Sequence, residues 1–393
     1  MERIMELALE NKDYVIEMRR YFHQHPELSE QEFATSRRIF EELQGMGLEP
    51  KMVGSFATGV MCEIHGGQPG KTVALRADMD ALSVQELIES PFKSCEDGKM
   101  HACGHDGHTA TLLGAAKVLL ACKDQIRGTV RLLFQPAEET GTGAKDMVAC
   151  GCLEGVDGAL GIHLWSGVKS GTISVEAGPR MAAANMFRYR ISGKPGHGAL
   201  PHQGVDAGLA ASAAVVNLQS IVSREFPAAE PVVITVGHID CGTRFNVIAA
   251  DATLEGTMRC YNVDYFLKDI PQAMHRVVEN TAAAYRCEVT EKYVYDAMLP
   301  CNNPEKAAAR GAATVRKLLG ESGIGQQPAM MGGEDFSYMM HAVPDSLLAF
   351  VGIGNPEKGT DEPHHSGRFQ IDEDCLINSV AFYAQYALDF LNE

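Results

Sequence analysis

The sequence is short of positive charge and of long apolar runs. Lys and Arg number 34 against 51 Asp and Glu, which gives a formal net charge of −17 at pH 7. This balance argues against nucleic acid or an anionic membrane surface as the main partner. No window approaches the roughly 20 apolar residues of a membrane span. The N-terminus lacks a cationic region followed by an apolar stretch, so we expect a cytoplasmic protein.

Low-complexity tracts and internal repeats are also missing. The cysteines number 11, an odd count without a secretion signal, so we expect most of them to be buried thiols in a reducing compartment. A length of 393 residues with 45% hydrophobic residues allows a sizeable core and more than one domain.

Apolar runs alternate with helical periodicity in the first part of the chain. A helix is predicted over residues 1–24, and Ser29 with Glu32 has the spacing of a capping box that opens a second helix. Strands are predicted over residues 71–78, 128–134 and 158–162, with a helix over 109–120 and another near 144–152. This order predicts an α/β fold, a mostly parallel sheet with helices on both faces.

The pattern of elements changes from about residue 183. Strand, helix, strand, strand, helix and strand follow one another to about residue 293, which is a βαββαβ ferredoxin-like order. We therefore predict an inserted α+β lid domain over residues 183–293. Residues 1–182 and 294–393 would form the metal-binding catalytic domain.

The stretch of residues 101–108, His-Ala-Cys-Gly-His-Asp-Gly-His, combines a thiol, imidazoles and a carboxyl group. This ligand set suits a transition metal rather than calcium or magnesium. Further ligands must come from elsewhere, and polar side chains follow three predicted strand ends: Asp78 with Asp80, Glu138 with Glu139, and His163. Because ligands bind at the carboxyl ends of parallel strands, we expect these side chains to converge.

Glu138 and Glu139 are adjacent, and adjacent side chains in a strand point to opposite faces. Just beyond a strand end they can diverge around a common metal. One carboxylate would then bind the metal, and the other would take a proton from the attacking water.

Seven motifs follow one another along the chain: Arg19-Arg20-x-x-His23-x-x-Pro26-Glu27, Leu75-Arg76-Ala77-Asp78-Met79-Asp80-Ala81-Leu82, His101-Ala102-Cys103-Gly104-His105-Asp106, Gln135-Pro136-Ala137-Glu138-Glu139, Gly161-Ile162-His163, Gly196-His197-Gly198-Ala199-x-Pro201-His202 and Gly333-Glu334-Asp335-Phe336. In this order they resemble the M20 family of metallopeptidases and amidohydrolases. The resemblance covers the whole chain and is strongest to the branch of hippurate hydrolases, N-acyl-amino-acid amidohydrolases and plant auxin-conjugate hydrolases.

The resemblance implies two divalent metal ions per subunit, which would be Zn, Mn, Ni or Co. Their implied ligands are Cys103, as the bridge, with His105, Glu139, His163 and a late histidine, either His364 or His365, of which His365 fits the motif better. The resemblance also implies that Glu138 is the general base. Asp80 would orient a ligating histidine. The roles of Asp78, Asp106 and His108 stay open.

In the inserted domain the resemblance gives His197 a contact with the substrate carbonyl or its oxyanion, often across a dimer interface. Asn246 and Arg259 would help to hold the substrate carboxylate, although Arg259 could equally face outward from a half-solvated strand. The role of His202 is open, and an exposed loop position is the simpler reading. The resemblance also implies a homodimer or higher oligomer formed through this domain.

The sequence therefore predicts a metal-dependent amidohydrolase that cleaves N-acyl amino acids, hippurate-like or N-acetylated, to a carboxylic acid and a free amino acid. The alternatives within enzymes are a dipeptidase or aminopeptidase, in which Glu334 or Asp335 could pair with a free amine, and an N-acetyl-diaminopimelate deacetylase. A metal or thiol sensor on a hydrolase scaffold is the non-catalytic alternative. The presence of Glu138 beside every ligand favours an enzyme.

Overall fold

The computed structural model describes residues 2–393, apart from the side chains of Glu2, Asp296 and Ala297. The chain packs into two compact units. The first comprises Met1–Arg180, Asn302–Pro328 and Asp335–Glu393, and the second comprises Met181–Cys301 and Ala329–Glu334. The range predicted for the inserted domain, residues 183–293, ends inside a strand of the second unit that runs over Glu288–Met298.

Helices and strands are numbered in chain order. The helices are α1 (Glu2–Glu10), α2 (Lys12–Gln24), α3 (Phe33–Gly45), α4 (His105–Ala121), α5 (Gly143–Ala149), α6 (Ala207–Arg224), α7 (Ile270–Ala284), α8 (Glu305–Leu319), α9 (Ser337–Ala342) and α10 (Leu376–Leu391). The strands are β1 (Lys51–Val53), β2 (Gly59–His65), β3 (Gln68–Asp78), β4 (Arg127–Gln135), β5 (Gly158–Lys169), β6 (Ile173–Ser174), β7 (Gly178–Met181), β8 (Ala183–Ser192), β9 (Gly196–His197), β10 (Val232–Cys241), β11 (Val247–Ile248), β12 (Asp251–Cys260), β13 (Glu288–Met298), β14 (Cys301–Asn303) and β15 (Ser346–Gly354).

The first unit is built on a 7-stranded sheet in the order β1-β2-β4-β3-β5-β15-β6. Its central pairs, β4 with β3, β3 with β5 and β5 with β15, are parallel, and the pairs towards the edges are antiparallel. The predicted α/β fold with a mostly parallel sheet is confirmed. Parallel strands buried on both faces need nearly continuous apolar sequence, and the second half of β3 is buried throughout.

Helix α4 lies at the centre of the first unit and is buried almost along its whole length. Its small residues let neighbouring helices approach closely. A Cβ atom added at Gly114 would lie 2.6 Å from Val15 of α2 and 2.9 Å from Val380 of α10. The Ala- and Gly-rich composition of α4 is thus what allows the loop before it, which carries Cys103, to be held inside the unit.

The second unit contains a 4-stranded antiparallel sheet in the order β10-β12-β8-β13. Helices α6 and α7 pack against it around Phe187, Leu254 and Val278, which are fully buried. With β8 as the first strand, the spatial order is four, one, three, two. This is the arrangement expected of the predicted ferredoxin-like unit.

Three local predictions were wrong. Ser29 and Glu32 do not form a capping box: α3 begins at Phe33 without a side-chain cap, and the Ser29 hydroxyl instead donates to Asp80, at 2.7 Å. The predicted helix over residues 1–24 is broken between Glu10 and Lys12, and Met1 lies outside the described residues. The strand predicted to stop at His163 continues to Lys169.

Gly104 connects Cys103 to His105 with a left-handed backbone, at a φ of +101°. Gly104→Ala should lower the free energy of unfolding by about 1–2 kcal/mol, because an L side chain is strained at this φ. Gly45→Ala is the matched control. Gly45 ends α3 with no atom within 4 Å of an added Cβ, so alanine there should be neutral or slightly stabilising. Urea unfolding measures both; an equal effect of the two substitutions would contradict the account.

Candidate metal centre

The five side chains predicted as metal ligands come together in the first unit. The Sγ atom of Cys103 lies 3.6 Å from Nε2 of His163, and Nε2 of His365 lies 3.5 Å from Oε1 of Glu139. Nε2 of His105 lies 3.9 Å from the same Glu139 oxygen. Ligand atoms lie within 4.8 Å of one another in two groups that share the thiol, Cys103 with His105 and His163, and Cys103 with Glu139 and His365.

The atoms that point into this cluster have the character of metal donors. Nε2 of His105 and Oε1 of Glu139 are shielded from water and have no hydrogen-bond partner among the described residues. The ring of His163 donates through Nδ1 to the Leu164 carbonyl at 2.9 Å, which leaves Nε2 as the donor atom facing Cys103. Buried polar atoms of this kind are costly without a partner. A mixed sulfur, nitrogen and oxygen set fits a pair of divalent transition metals.

Negative charge dominates the surroundings of the cluster. Burial disfavours charge on His105, but the carboxylates of Asp78, Asp80 and Glu139 outweigh it and raise the pKa of the imidazole to about 10. Burial, together with the charge of Glu139, raises the pKa of the Cys103 thiol well above its usual range. A divalent cation in this place would favour both the thiolate and the neutral imidazole.

Asp80 contacts two of the predicted ligands, His105 and Glu139. Its Oδ1 atom lies 3.1 Å from Nδ1 of His105, and Oδ2 accepts the backbone N–H of Glu139 at 3.0 Å and the Ser29 hydroxyl. The side chain is 1% exposed. These bonds fix the ring orientation of His105 with Nε2 directed into the cluster, which is the geometry that the orienting role predicted for Asp80 requires.

His108 and Asp78, whose roles the sequence left open, form a supporting pair. Nδ1 of His108 donates to Asp78 at 2.5 Å, and Nε2 accepts the N–H of Leu164 at 2.8 Å. Because both ring nitrogens are used, His108 has no donor atom left for a metal. The other oxygen of Asp78 lies 2.7 Å from Nη1 of Arg76.

Asp106 belongs to a second buried network, which includes Arg19 and His23 from the first of the seven motifs. Its Oδ2 atom accepts from Nε of Arg19 at 2.9 Å and lies 2.8 Å from Nδ1 of His23. The other ring nitrogen of His23 lies 3.3 Å from Glu86. Asp106 directly follows His105 in the first turn of α4, so this network anchors the ligand loop to α2.

His364 and His365 differ in their contacts. Nε2 of His364 donates to the Leu164 carbonyl at 2.9 Å, and its ring stacks on Trp165 with centroids 4.2 Å apart. The ring of His365 points instead to Glu139. His365 has a φ of +62°, which is uncommon for a residue with a side chain and turns it away from its neighbour.

Glu138 and Glu139 diverge as their position after β4 predicted. Ala137, at a φ of +54°, turns the chain after the strand. The Glu138 carboxylate then accepts the backbone N–H of Asp335 at 3.3 Å, while Glu139 faces His365. A Glu138 oxygen lies within 4.8 Å of the ligand atoms of His105 and Glu139. The 6% exposed Glu138 is thus a second acid beside the ligands.

The residues predicted to contact substrate lie in the second unit. His197 on β9 pairs with Val247 on β11, and the N–H of Gly198 donates to the Asn246 carbonyl at 2.9 Å. His197 and Asn246 are therefore neighbours. Arg259 lies on β12, opposite Val233 on β10, and its guanidinium is half-buried. His202 is exposed in a short 3₁₀ helix, Pro201–Gln203.

The sequence did not assign Ser29, Glu32, Arg76 or Gln135 to the site, yet all contact its supporting residues. The spacing of Ser29 and Glu32 indicated a local helix cap, so their hydrogen bonds to residues distant in the sequence were not predicted. Glu32 accepts the N–H of Ala137 at 2.8 Å, in the turn that precedes the two glutamates. Motifs marked the segments of Arg76 and Gln135, but no local pattern shows which distant side chain a buried polar group contacts.

Fold and cluster together define a metal-dependent hydrolase with its site at the carboxyl edge of a parallel sheet. The pattern of Peptidase family M20/M25/M40 matches residues 74–389. The chain belongs to this family, as its motifs predicted. No helix among residues 2–393 is both long and apolar enough to span a membrane.

Relatives match along nearly the whole chain. An N-acyl-L-amino acid amidohydrolase from Geobacillus stearothermophilus is 43% identical over 318 residues, 81% of this chain and 85% of its own. Thermostable carboxypeptidase 2 from Saccharolobus solfataricus is 38% identical over 400 residues, 100% of this chain and 99% of its own. A solved dinuclear metal-binding peptidase of the M20 family from Bacillus subtilis has a TM-score of 0.84 and 33% identity, and the match covers 97% of this chain and 98% of that one.

The two adjacent histidines should separate metal binding from stability. His365→Ala should weaken divalent metal binding at least about tenfold, because it removes a donor atom from the cluster. His364→Phe keeps an aromatic ring on Trp165 but loses the bond to the Leu164 carbonyl, so it should lower Tm and leave metal binding nearly unchanged. Metal content after dialysis, measured by mass spectrometry, checks both variants. Normal metal content in His365→Ala would contradict the assignment.

Glu32 should make stability depend on pH. Burial and the charge of Asp80 raise its carboxyl pKa from 4.5 to about 7. The folded chain therefore binds more protons than the unfolded chain between these values, and this group's contribution to the free energy of unfolding falls as pH rises through them. Glu32→Gln should remove that loss.

Urea unfolding at pH 5 and pH 8 measures the effect of Glu32→Gln. We expect the variant to gain about 1–3 kcal/mol over the wild type at pH 8 and little at pH 5. Glu41→Gln, at an exposed position of α3, is the control and should change neither value. A variant whose pH dependence parallels that of the wild type would show that Glu32 is ionised at low pH.

Proposed function

We propose that this protein hydrolyses the amide bond of N-acyl amino acids, hippurate-like or N-acetylated, and releases a carboxylic acid and a free amino acid. The observation that carries the proposal is a second carboxylate, that of Glu138, beside the proposed ligands. Glu138 is buried beside the ligand atoms and held by a backbone N–H, whereas its neighbour Glu139 faces the donor cluster. A ligand set with a separate carboxylate beside it is what water activation needs.

The proposed ligands are Cys103, His105, Glu139, His163 and His365, which would hold two divalent ions. Bound there, two divalent ions would polarise the scissile carbonyl and lower the pKa of the attacking water. Zn, Mn, Ni and Co all suit this set of donors.

Glu138 takes the proton from the attacking water and later delivers it to the leaving amine. Asp80 holds His105 and the backbone of Glu139 in place during these transfers. His197 supplies a hydrogen bond to the developing oxyanion, and Asn246 and Arg259 bind the substrate carboxylate. The adjacency of His197 and Asn246 on β9 and the loop before β11 supports their acting on one substrate.

A peptidase activity is the second candidate, favoured by the similarity to thermostable carboxypeptidase 2 from Saccharolobus solfataricus. Removal of a C-terminal amino acid from a peptide is the same chemistry, since the leaving group is again an amino acid with a free carboxylate. An aminopeptidase or dipeptidase is less well supported. Asp335, which could have paired with a substrate amine, accepts from Gln135 and from the N–H of Ala144.

Two further properties complete the proposal. We place the protein in the cytoplasm, a location that fits a chain with eleven cysteines, most of them buried. We propose a homodimer or higher oligomer through the second unit. Its strand β10 lies at a sheet edge, where backbone groups are available for pairing, and Ile239 on this strand is 48% exposed. The sensor alternative is opposed by Glu138, which a metal or thiol sensor would not need.

Glu138→Gln tests the proposed chemistry. The amide cannot accept the proton, so kcat should fall by at least about 100-fold while metal content stays at the wild-type level. Steady-state kinetics with benzoyl-glycine, acetyl-amino acids, N-blocked dipeptides and free dipeptides, on the metal-reconstituted chain, measures both activity and preference. The exposed Glu41→Gln is the control.

Two outcomes of these kinetics would contradict the proposal. A Glu138→Gln variant with substantial kcat would remove the assigned base. A wild-type chain that hydrolyses free dipeptides far better than any N-acyl amino acid would favour the peptidase instead.

A further inference from the structure

Arg76 lies on β3 beneath the metal cluster and is completely buried, as are its three partners. Its Nε donates to Gln135 at 2.8 Å, Nη2 donates to Asp335 at 3.0 Å, and Nη1 lies 2.7 Å from Asp78. A guanidinium keeps its charge in proteins, so burial is tolerated only where carboxylates neutralise it and its N–H groups are bonded. One cation here serves two carboxylates from distant parts of the chain.

On one side this network reaches the proposed base. The Asp335 side chain is fixed at both oxygens: Oδ1 also accepts from Gln135 at 2.7 Å, and Oδ2 accepts the N–H of Ala144 at 2.9 Å. The backbone N–H of the same residue donates to the Glu138 carboxylate at 3.3 Å. These bonds restrain Asp335 and thereby the direction of the N–H that contacts the Glu138 carboxylate.

On the other side the network reaches the ligands. Asp78 forms an ion pair with Arg76 through Oδ2 and accepts from His108 through Oδ1, and this second oxygen lies 3.8 Å from Nε2 of His105. The ring of His108 in turn accepts the N–H of Leu164, next to the ligand His163. The Arg76 guanidinium thus contacts both Asp78, on the side of the proposed ligands, and Asp335, on the side of the proposed base.

We propose that Arg76 and Asp335 are positioning residues that fix the Glu138 carboxylate relative to the metal ligands. The inference rests on the proposed function, since it gives Glu138 the task of moving the proton. Both act through Glu138, which the backbone N–H of Asp335 contacts. Their contribution is geometric, because proton transfer falls off steeply when a base is misplaced by about 1 Å.

Asp335→Asn is the direct test. The amide is isosteric but uncharged, so it releases the restraint on the backbone N–H that holds Glu138. We expect kcat to fall by about 10–100-fold, with KM and metal affinity within about threefold of the wild type. Arg76→Lys should lower kcat to a similar extent and also weaken metal binding, because a lysine keeps the charge but cannot contact Gln135, Asp335 and the ligand support Asp78 together.

Metal affinity can be read without turnover. Trp165 is the only tryptophan of the chain, and its ring centroid lies 5.1 Å from that of His163. Titration of the apo-protein with Mn²⁺ or Co²⁺ should therefore change the tryptophan fluorescence. Unchanged titration curves in Asp335→Asn would show that the ligands are intact when kcat falls.

Asp345→Asn is the matched control. Asp345 binds another buried arginine, Arg310, through two bonds of 3.0 Å each, but it precedes the first residue of β15, at the opposite end of the sheet from the ligands. This substitution should lower Tm and leave kcat unchanged. A loss of kcat that occurs with Asp335→Asn but not with Asp345→Asn separates positioning from general stability.

The outcomes are distinguishable. If Asp335→Asn lowers Tm but keeps wild-type kcat, the positioning proposal is overturned and the proposed function stands. If Asp335→Asn does not fold, Gln135→Met, which removes bonds to both residues without a change of charge, answers the same question by the same kcat criterion. If the wild type binds metal but hydrolyses no N-acyl amino acid, the proposed function fails, and the positioning proposal fails with it.

Discussion

The neutralisation of buried carboxylates beneath the ligands is the interaction on which the rest of the site depends. Asp78, Asp80 and Asp106 are at most 1% exposed. Burial opposes their ionisation, yet the charges of Arg76, His105 and His108 together outweigh it and lower the pKa of Asp78 well below its usual range. Arg19 has the same effect on Asp106. An unpaired buried charge would cost several kcal/mol. Each carboxylate and its cationic partner therefore hold one another in position.

This neutralisation also determines which atoms remain for a metal. Where a side chain bonds on both sides, as His108 and His364 do, it supports the site and has no donor atom left. Where the supporting bond uses one atom only, as in His105 and His163, the second nitrogen faces the cluster. The proposed ligands therefore differ from their histidine neighbours in their hydrogen bonds and not in burial, since His105 and His108 are both fully buried.

The sequence predicted which polar side chains lie close together better than it predicted the residues that support them. The alternation of apolar strands and helices predicted the parallel sheet, and the polar residues after β3 and β4 predicted where its ligands converge. Ser29 and Glu32 were misread because a capping box and a tertiary contact use the same residue types. Arg76 pairs with Asp335, which is 259 positions away in the sequence. A buried arginine needs a carboxylate partner, but the residues next to it in the sequence do not indicate which carboxylate that is.

Anomalous X-ray scattering from crystals of the metal-reconstituted protein, at the absorption edge of the bound metal, tests the central claim most directly. The account predicts two anomalous peaks on either side of the Cys103 sulfur. One peak would be in contact with His105 or His163 and the other with His365, with Glu139 at one of them. A single peak, or peaks coordinated by His108 or His364 in place of these residues, would contradict it.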